Sequence, residues 1–146
     1  MVEPSSQGCI VIDVGSNTIK VLALPPGFPA APAFQETLEV RISEGMLPEP
    51  PRLDPRAAKR GAQAVVDLLA AARDVVGARQ PVRIVGTSAL RDAVNRDTFC
   101  QDVLDRTGQP VEILSGDEEA AAIARGITAD PQIGTVPDFT LLDLGG

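Results

Sequence analysis

Short apolar runs and one long amphipathic segment alternate along the chain, and this pattern predicts a mixed α/β fold. Residues 9–24 hold two apolar, β-branched runs around a small polar insert, which predicts a strand, a tight turn and a returning strand. Residues 34–42 alternate apolar and polar positions, as expected of a half-exposed third strand. Residues 82–87 and 111–114 are predicted to form two further, shorter strands.

Helical periodicity fills the segments between the later strands. Asp54 and Pro55 are a strong helix start, and the first helix is expected to run to Val76 and stop at Gly77. After a loop with one or two helical turns at 88–95, a second helix is predicted from about residue 96 to 106. A third helix starts at 115–119. The positions expected to be buried are Ala62, Val65, Val66, Leu69 and Ala72 in the first helix, and Ala120, Ile123, Ala124 and Ile127 in the third.

The predicted order is three strands, helix, strand, helix, strand, helix and one more strand from Phe139. Three successive strands favour an antiparallel meander, and the two strand–helix–strand alternations favour parallel neighbours. The expected fold class is therefore α/β with one mixed sheet and flanking helices.

Composition is that of a soluble protein. The 146 residues suit one domain, with 44% hydrophobic and 23% charged residues. No apolar run reaches the roughly 18 residues needed to cross a bilayer, and the start lacks the features of a signal peptide. Cys9 and Cys100 have no zinc or redox spacing, so they are expected to be core residues in a reducing cytoplasm.

The net charge and the residue types present limit the partners and the catalytic groups that the chain can have. The formal net charge of −7 disfavours a nucleic-acid partner. The chain has no His, Tyr or Trp, which excludes imidazole-based catalysis and imidazole metal ligands. Any proton transfer must fall to carboxylates or lysine.

The first candidate site is the insert after the first strand. Asp13 leads into Gly15, Ser16, Asn17 and Thr18, where a glycine turn and short polar side chains can surround a phosphate. Asp13 would then face a metal or a water. The competing interpretation is an ordinary hairpin turn, in which Gly and Asn are also favoured.

Arg91 marks a second candidate site, a few residues after the hydroxyls of Thr87 and Ser88. Ligands of α/β sheets bind beyond the carboxyl ends of parallel strands, where Arg91 could make a forked contact to phosphate. In the competing interpretation, Ser88 caps the next helix and Arg91 pairs with Asp92 or another surface acid.

Glu119 is the main general-base candidate. Ser115 and Glu118 have capping-box spacing, which explains Glu118 structurally, whereas Glu119 points about 100° away around the helix. A carboxylate there is placed to take a proton from water. A solvated acid that favours the helix N-terminus is the competing interpretation.

The last residues repeat the opening pattern. Asp143, Gly145 and Gly146 come after an apolar strand, as Asp13 and Gly15 do. Because this motif stops at the final residue, the chain is expected to be the front part of a longer protein.

Taken together and in order, five segments resemble the exopolyphosphatase and guanosine-pentaphosphate phosphatase (Ppx/GppA) family. The resemblance covers almost the whole chain. The segments are 12–18, 41–46, 86–95, 114–120 and 142–146.

This resemblance implies a ribonuclease-H-like lobe of the actin and sugar-kinase superfamily. The expected boundaries are a disordered lead at 1–8, the first lobe at 9–130, a linker at 131–137, and the first strand of a truncated second lobe at 138–146. The second lobe would close the active site.

The resemblance also implies an activity: Mg²⁺-assisted release of terminal phosphate from inorganic polyphosphate, or of the 5′-γ-phosphate from guanosine pentaphosphate. Glu119 matches the catalytic glutamate that activates water, and Asp143 matches a carboxylate tied to metal and catalysis. Asp13 is the other expected metal ligand. The remaining matches are phosphate contacts: Gly15, Ser16, Asn17, Arg91, Gly145 and Gly146. Thr18 is added as a phosphate contact from its place in the polar turn.

Other interpretations stay open. One is a non-catalytic lobe that responds to phosphate or drives oligomerisation, in which Glu119 and Asp143 have no clear purpose. Another is an ATP-dependent sugar kinase, which rests on fold analogy alone. The expected location is the cytoplasm, with no membrane partner. A homodimer is one candidate assembly.

Overall fold

Helices and strands occur in the predicted order within residues 7–27 and 31–129, the part of the chain described by this computed structural model. One element is additional: a small hairpin in the loop that the sequence places between the third strand and the first helix. The elements are β1 (Cys9–Val14), β2 (Thr18–Leu24), β3 (Phe34–Glu39), β4 (Leu47–Pro48), β5 (Pro51–Arg52), α1 (Pro55–Val76), β6 (Val82–Gly86), α2 (Ser88–Asp92), α3 (Arg96–Thr107), β7 (Val111–Ile113) and α4 (Gly116–Thr128).

Five strands form one mixed sheet in the order β3-β2-β1-β6-β7. The pairs β1–β2 and β2–β3 are antiparallel, whereas β1–β6 and β6–β7 are parallel. This arrangement confirms the predicted meander and the parallel strands after it. Asp13 lies opposite Lys20 on one side and Val85 on the other, so both neighbours share its face of the sheet.

One face of the sheet forms the core with α1. Ile10, Ile12 and Val14 alternate with half-exposed residues along β1, as a strand with one buried face must. On α1, four of the five predicted core positions are buried and Val66 is half-buried. Each fully buried Ile, Leu or Val stabilises the fold by roughly 1.5–3 kcal/mol relative to exposure, so this layer provides most of the stability.

The start of α1 is set by Asp54. Its Oδ1 accepts hydrogen bonds from the backbone N–H groups of Arg56 (2.8 Å) and Ala57 (3.1 Å), and Pro55 occupies the first helical position. The helix ends at Val76 before Gly77, as predicted. The C-terminal end of α1 leads into the start of β6, so the helix runs opposite in direction to β6 and to its parallel neighbour β1. The N-terminal end of α1 therefore lies at the sheet edge where β1 and β6 end.

The predicted buried stripe of α4 is wrong. No residue of α4 is buried: Ala120 is exposed, and Ile123, Ala124 and Ile127 are half-buried. The apolar spacing is present, but α4 faces the second side of the sheet across a groove of about 750 Å³ that includes Asp13 and Lys20. A sheet face that carries charged side chains cannot bury a helix stripe as the opposite, apolar face buries α1.

The cysteines and the predicted boundaries complete the comparison. Cys9 and Cys100 are free and half-buried, so the expectation that they are core residues holds only in part. Burial raises the pKa of the Cys100 thiol. The linker at 131–137 and the strand at 138–146 lie outside the described residues, as does most of the lead at 1–8, and the boundaries stay predictions. None of the helices in the described ranges is long and apolar enough to span a membrane.

Candidate phosphate-binding and catalytic site

The insert between β1 and β2 forms a tight turn at the sheet edge. The N–H of Gly15 donates to the carbonyl of Thr18 at 3.0 Å, which closes the turn. A Cβ at residue 15 would lie only 3.1 Å from that same oxygen, so a larger residue would crowd the closing bond. The predicted strand–turn–strand unit is therefore confirmed, with Ser16 and Asn17 at its tip.

Asp13 precedes the turn and carries a carboxylate oxygen without a partner. Its Oδ1 is buried and accepts no hydrogen bond from any residue that the structure describes. Burial raises the pKa of Asp13, the charge of Lys20 opposes this rise, and the nearby charge of Glu119 adds to it. A buried acceptor without a donor is costly, about 1–3 kcal/mol, and such groups in native proteins commonly serve a cation or a ligand.

A second loop holds the turn in place. The N–H groups of Val40 and Arg41 donate to the carbonyl of Asn17 at 2.9 and 2.8 Å. The backbone N–H and the hydroxyl of Ser43 both donate to the carbonyl of Ser16 at 3.2 Å. Arg41 adopts a left-handed backbone conformation with φ of 52°, which bends the chain toward the turn. The turn is thus fixed by residues more than twenty positions away.

The end of β6 brings a second hydroxyl to the turn. Ser88 Oγ lies 2.5 Å from Ser16 Oγ, although the two residues are 72 positions apart. Ser88 is the first residue of α2, and the cap residue Thr87 is buried and makes no side-chain capping bond. The interpretation of Ser88 as a helix cap is therefore wrong, because its hydroxyl faces the β1–β2 turn instead.

Arg91 and Glu119 meet at the same edge. Arg91 Nη1 donates to Glu119 Oε2 at 3.0 Å and to the carbonyl of Leu114 at 3.1 Å. The side chains of Arg91 and Glu119 keep 32% and 29% of their surface exposed, so a ligand can reach both. The contact with Asp92 is longer, at 4.0 Å. The main acid partner of Arg91 is thus Glu119, the general-base candidate.

The side chains of Glu118 and Glu119 make different contacts. The N–H and hydroxyl of Ser115 both donate to Glu118 Oε2 at 2.8 Å, and Glu118 N–H donates back to the hydroxyl at 3.2 Å. These bonds lower the pKa of Glu118 and confirm the predicted capping box. Glu119 lies outside the box, which leaves its carboxylate free to face Arg91.

The described residues of the site lie at the carboxyl ends of the three parallel strands β1, β6 and β7. The β1–β2 turn, Ser88, Arg91 and Glu119 come together there, with Asp13 close enough to Glu119 for their charges to interact. Asp143, Gly145 and Gly146 lie outside the described residues. Within residues 7–27 and 31–129, no cluster of three or more His, Cys, Asp or Glu side chains could hold a metal by itself.

Two polar residues at this edge were not singled out from the sequence. Lys20 lies directly across the ladder from Asp13, and Ser43 donates twice to the turn. The hairpin register could have indicated Lys20, because a turn closed between residues 15 and 18 places residues 13 and 20 opposite each other. Nothing local to Ser43 indicates its contact.

The fold is a mixed α/β lobe in which polar side chains lie at the carboxyl ends of the parallel strands. Residues 26–146 match the model of the Ppx/GppA phosphatase family, and the chain belongs to this family. The family expected from the sequence motifs is thereby confirmed.

Curated relatives carry two names. The guanosine-5′-triphosphate,3′-diphosphate pyrophosphatase of Vibrio parahaemolyticus is 34% identical over 117 residues, covering 80% of this chain and 23% of that protein. Exopolyphosphatase 2 of Mycobacterium tuberculosis is 34% identical over 145 residues, covering 92% of this chain and 44% of that protein. The chain therefore spans less than half the length of these relatives.

Solved structures support the fold. An exopolyphosphatase from Cytophaga hutchinsonii superposes with a TM-score of 0.76 at 24% identity, covering 84% of this chain and 38% of that one. The Aquifex aeolicus member of the Ppx/GppA family has a TM-score of 0.75 at 17% identity, covering 86% and 40%. At these identities the likeness shows the fold alone, which is the mixed α/β fold that the sequence predicts.

Proposed function

We propose that this chain is the phosphate-binding lobe of a phosphoanhydride hydrolase that releases terminal phosphate from inorganic polyphosphate. The observation that carries the proposal is the Arg91–Glu119 pair beside the hydroxyl-lined turn of Ser16. Hydrolysis of a phosphoanhydride needs positioning and charge neutralisation more than covalent catalysis. The hydroxyl donors of the turn, the guanidinium of Arg91 and the carboxylate of Glu119 lie at one sheet edge and supply these requirements.

The chemistry assigns a role to each group. The turn from Gly15 to Thr18 holds the terminal phosphate, and Arg91 neutralises charge on its oxygens. Glu119 accepts a proton from a water molecule as the water oxygen bonds to the terminal phosphorus. The bond from that phosphorus to the bridging oxygen breaks, so the products are inorganic phosphate and a chain shortened by one unit. Glu119 then returns its proton to solvent.

Magnesium is part of the proposal, and the donor set fits it. Mg²⁺ keeps several waters and is commonly bound through one or two carboxylates together with substrate phosphates, so it needs no all-protein cage. The buried, partnerless Oδ1 of Asp13 fits such a ligand. Asp13 and Asp143 would hold the ion. When bound, it would neutralise charge on the phosphate oxygens.

A second candidate function is hydrolysis of the 5′-phosphate of guanosine pentaphosphate. It is favoured by relatives from Vibrio species that bear the name guanosine-5′-triphosphate,3′-diphosphate pyrophosphatase, at 33–34% identity. The reacting bond is again a terminal phosphoanhydride, so the same residues serve both substrates. The two candidate substrates differ in the group beyond the terminal phosphates, which is either a run of further phosphates or a nucleoside.

Glu119→Gln is the variant that tests the proposal, in the complete natural protein that contains this chain. With Mg²⁺ and polyphosphate, we expect phosphate release to fall by about 10²–10⁴-fold, the usual contribution of a general base, with polyphosphate binding retained. The matched control is Glu118→Gln, which removes the same charge from the adjacent residue. Its kcat should stay within about twofold, because Glu118 serves the capping box.

The outcomes separate the candidates. If Glu119→Gln retains turnover, Glu119 is only an acid that favours the helix N-terminus, and its assignment as the general base is refuted. Faster release from guanosine pentaphosphate than from polyphosphate would favour the second candidate. Tight polyphosphate binding without phosphate release by the unmodified protein would leave the non-catalytic lobe as the better interpretation.

A further inference from the structure

A groove runs between β3 and the N-terminal half of α1, on the opposite side of the β1–β2 turn from Arg91 and Glu119. Its volume is about 650 Å³. Leu38, Val40 and Ala64 provide apolar walls. The basic side chains that line it are Arg56, Lys59 and Arg60, all from the first two turns of α1.

The groove adjoins the candidate site. Val40 belongs to its wall, and the N–H of Val40 donates to the carbonyl of Asn17 in the phosphate-binding turn at 2.9 Å. The N-terminal end of α1 lies at the same sheet edge as that turn. The wall of the groove is therefore hydrogen-bonded directly to the turn that would hold the end of a linear ligand.

Two of the cations in the groove have no acidic partner among the residues that the structure describes. Arg60 pairs with Glu44 at 2.6 Å, and Glu39, which also lines the groove, pairs with Arg41. Arg56 and Lys59 form no ion pair with any residue of the described ranges, and both are exposed. Their spacing of three positions places them on one face of α1.

Asp67 is the remaining acid in the groove. Its carboxylate accepts a hydrogen bond from Gln63 at 2.7 Å. It lies two turns beyond Lys59 along α1, away from the sheet edge that carries the phosphate-binding turn. The end of the groove next to the turn thus has the surplus of positive charge.

These cations do not stabilise the helix that carries them. The N-terminus of a helix has the positive end of its dipole, where a cation is disfavoured and an acid is favoured. Only Asp54 supplies an acid there, as the cap, and the first turn itself holds none. In a chain of net charge −7, two unpaired cations at a helix N-terminus and in one groove fit an anionic partner.

We propose that Arg56 and Lys59 bind inner phosphates of a polyphosphate chain whose terminal phosphate occupies the turn at Gly15–Thr18. The inference rests on the proposed function and extends it, because it assigns the substrate class as a long polyanion rather than a nucleotide. Recognition of this kind is electrostatic, so it weakens as salt is added.

The test compares two double variants in the complete natural protein. Arg56→Gln with Lys59→Gln removes the proposed contacts. Arg79→Gln with Arg125→Gln is the matched control, because it also removes two exposed cations that form no ion pair with a described residue. The ligands are polyphosphate of about 100 units, tripolyphosphate, and a single-stranded RNA of equal charge, measured by binding across a salt series and by phosphate release.

For the groove variant we expect about tenfold weaker binding of long polyphosphate, and a salt slope lower by about 1.4, or about 0.7 for each lost contact. Its KM for tripolyphosphate should stay within about twofold, because a short substrate does not reach the groove. The control should keep its affinity for long polyphosphate within about twofold. RNA should bind at least tenfold more weakly than long polyphosphate to the unmodified protein.

Several results would overturn the assignment. Equal losses in both double variants would show that only net charge matters. An equal loss for tripolyphosphate would place Arg56 and Lys59 at the terminal phosphate, and RNA that binds as tightly as polyphosphate would indicate a general polyanion surface. Because binding is measured apart from turnover, a protein that releases no phosphate would refute the proposed function and still report on the groove.

Discussion

Replacing Asp13 with asparagine removes a partly buried negative charge while it keeps the size and shape of the side chain. The carboxylate has one buried oxygen without a partner in the described structure. The positive charge of Lys20, opposite Asp13 in the β1–β2 ladder, partly offsets the cost of burying the carboxylate. We therefore expect Asp13→Asn to stabilise the fold at neutral pH in the absence of divalent cations. The same change should weaken the stabilisation by Mg²⁺ with polyphosphate.

The magnitude comes from two opposing contributions. Asparagine still places a polar atom at this position, so the variant removes only the extra desolvation cost of the charge, on the order of 2 kcal/mol. Lys20 is exposed, so its attraction to Asp13 returns at most about 1 kcal/mol, and the half-exposed state of Asp13 reduces the cost further. A net gain of about 1 kcal/mol in the free energy of unfolding is expected for the variant, or a rise in Tm of about 2–4 °C for a chain of this size.

The gain should depend on pH in a defined direction. Burial raises the pKa of Asp13 above its ordinary value of 3.8, so the native state holds this proton more tightly than the unfolded state. The stability contributed by the protonated form is fully present below pH 3.8 and is lost as pH rises through the native pKa. The difference between variant and unmodified protein should thus be small at pH 3 and reach its full value at neutral pH.

Thermal unfolding between pH 3 and 8 without divalent cations measures this effect. Asp74→Asn is the control, because it removes the same charge from an exposed position on α1 and should change stability by less than about 0.5 kcal/mol. With ligand at about 100 times its Kd, the unmodified protein should gain about 2.7 kcal/mol, and Asp13→Asn should gain at least about 1 kcal/mol less at the same ligand concentration. A variant that is less stable at pH 7, or a difference that does not change with pH, would refute the reasoning.

Two further substitutions probe the site and its support. Ser88→Ala removes the hydroxyl beside Ser16, and we expect the KM for polyphosphate to rise about three- to tenfold with little change in kcat; an unchanged KM would exclude Ser88 from phosphate binding. Gly86→Ala should lower the free energy of unfolding by about 1–3 kcal/mol, since its methyl group would lie 2.7 Å from Leu90 Cδ1. In denaturant titrations Gly116→Ala, which meets open space, is the control, and equal stability of the two variants would contradict the packing argument.

Local signals in the sequence predicted most of the secondary structure. The two-residue alternation of β1 and β2, the Asp54–Pro55 start of α1 and the capping box of α4 each depend on groups within about four positions of one another. Interactions of this range are encoded wherever the residues occur, so they can be identified without the fold.

Helix spacing alone did not predict burial. The apolar stripes of α1 and α4 have the same period, yet α1 packs on an apolar sheet face and α4 lies across a groove from a charged one. Periodicity shows which side of a helix is apolar. How much of that side is buried depends on the surface opposite to it, which the sequence around the helix does not contain.

The sequence by itself determined the residue types of the candidate site and their positions at strand ends: a turn after Asp13, an arginine after β6 and a second acid after the capping box. The tertiary structure decided which of them meet. Ser16 and Ser88 share a contact across 72 positions, and Arg91 pairs with Glu119 rather than with its neighbour Asp92. These contacts result from the strand order β3-β2-β1-β6-β7, which sets distant segments side by side through backbone hydrogen bonds and core packing.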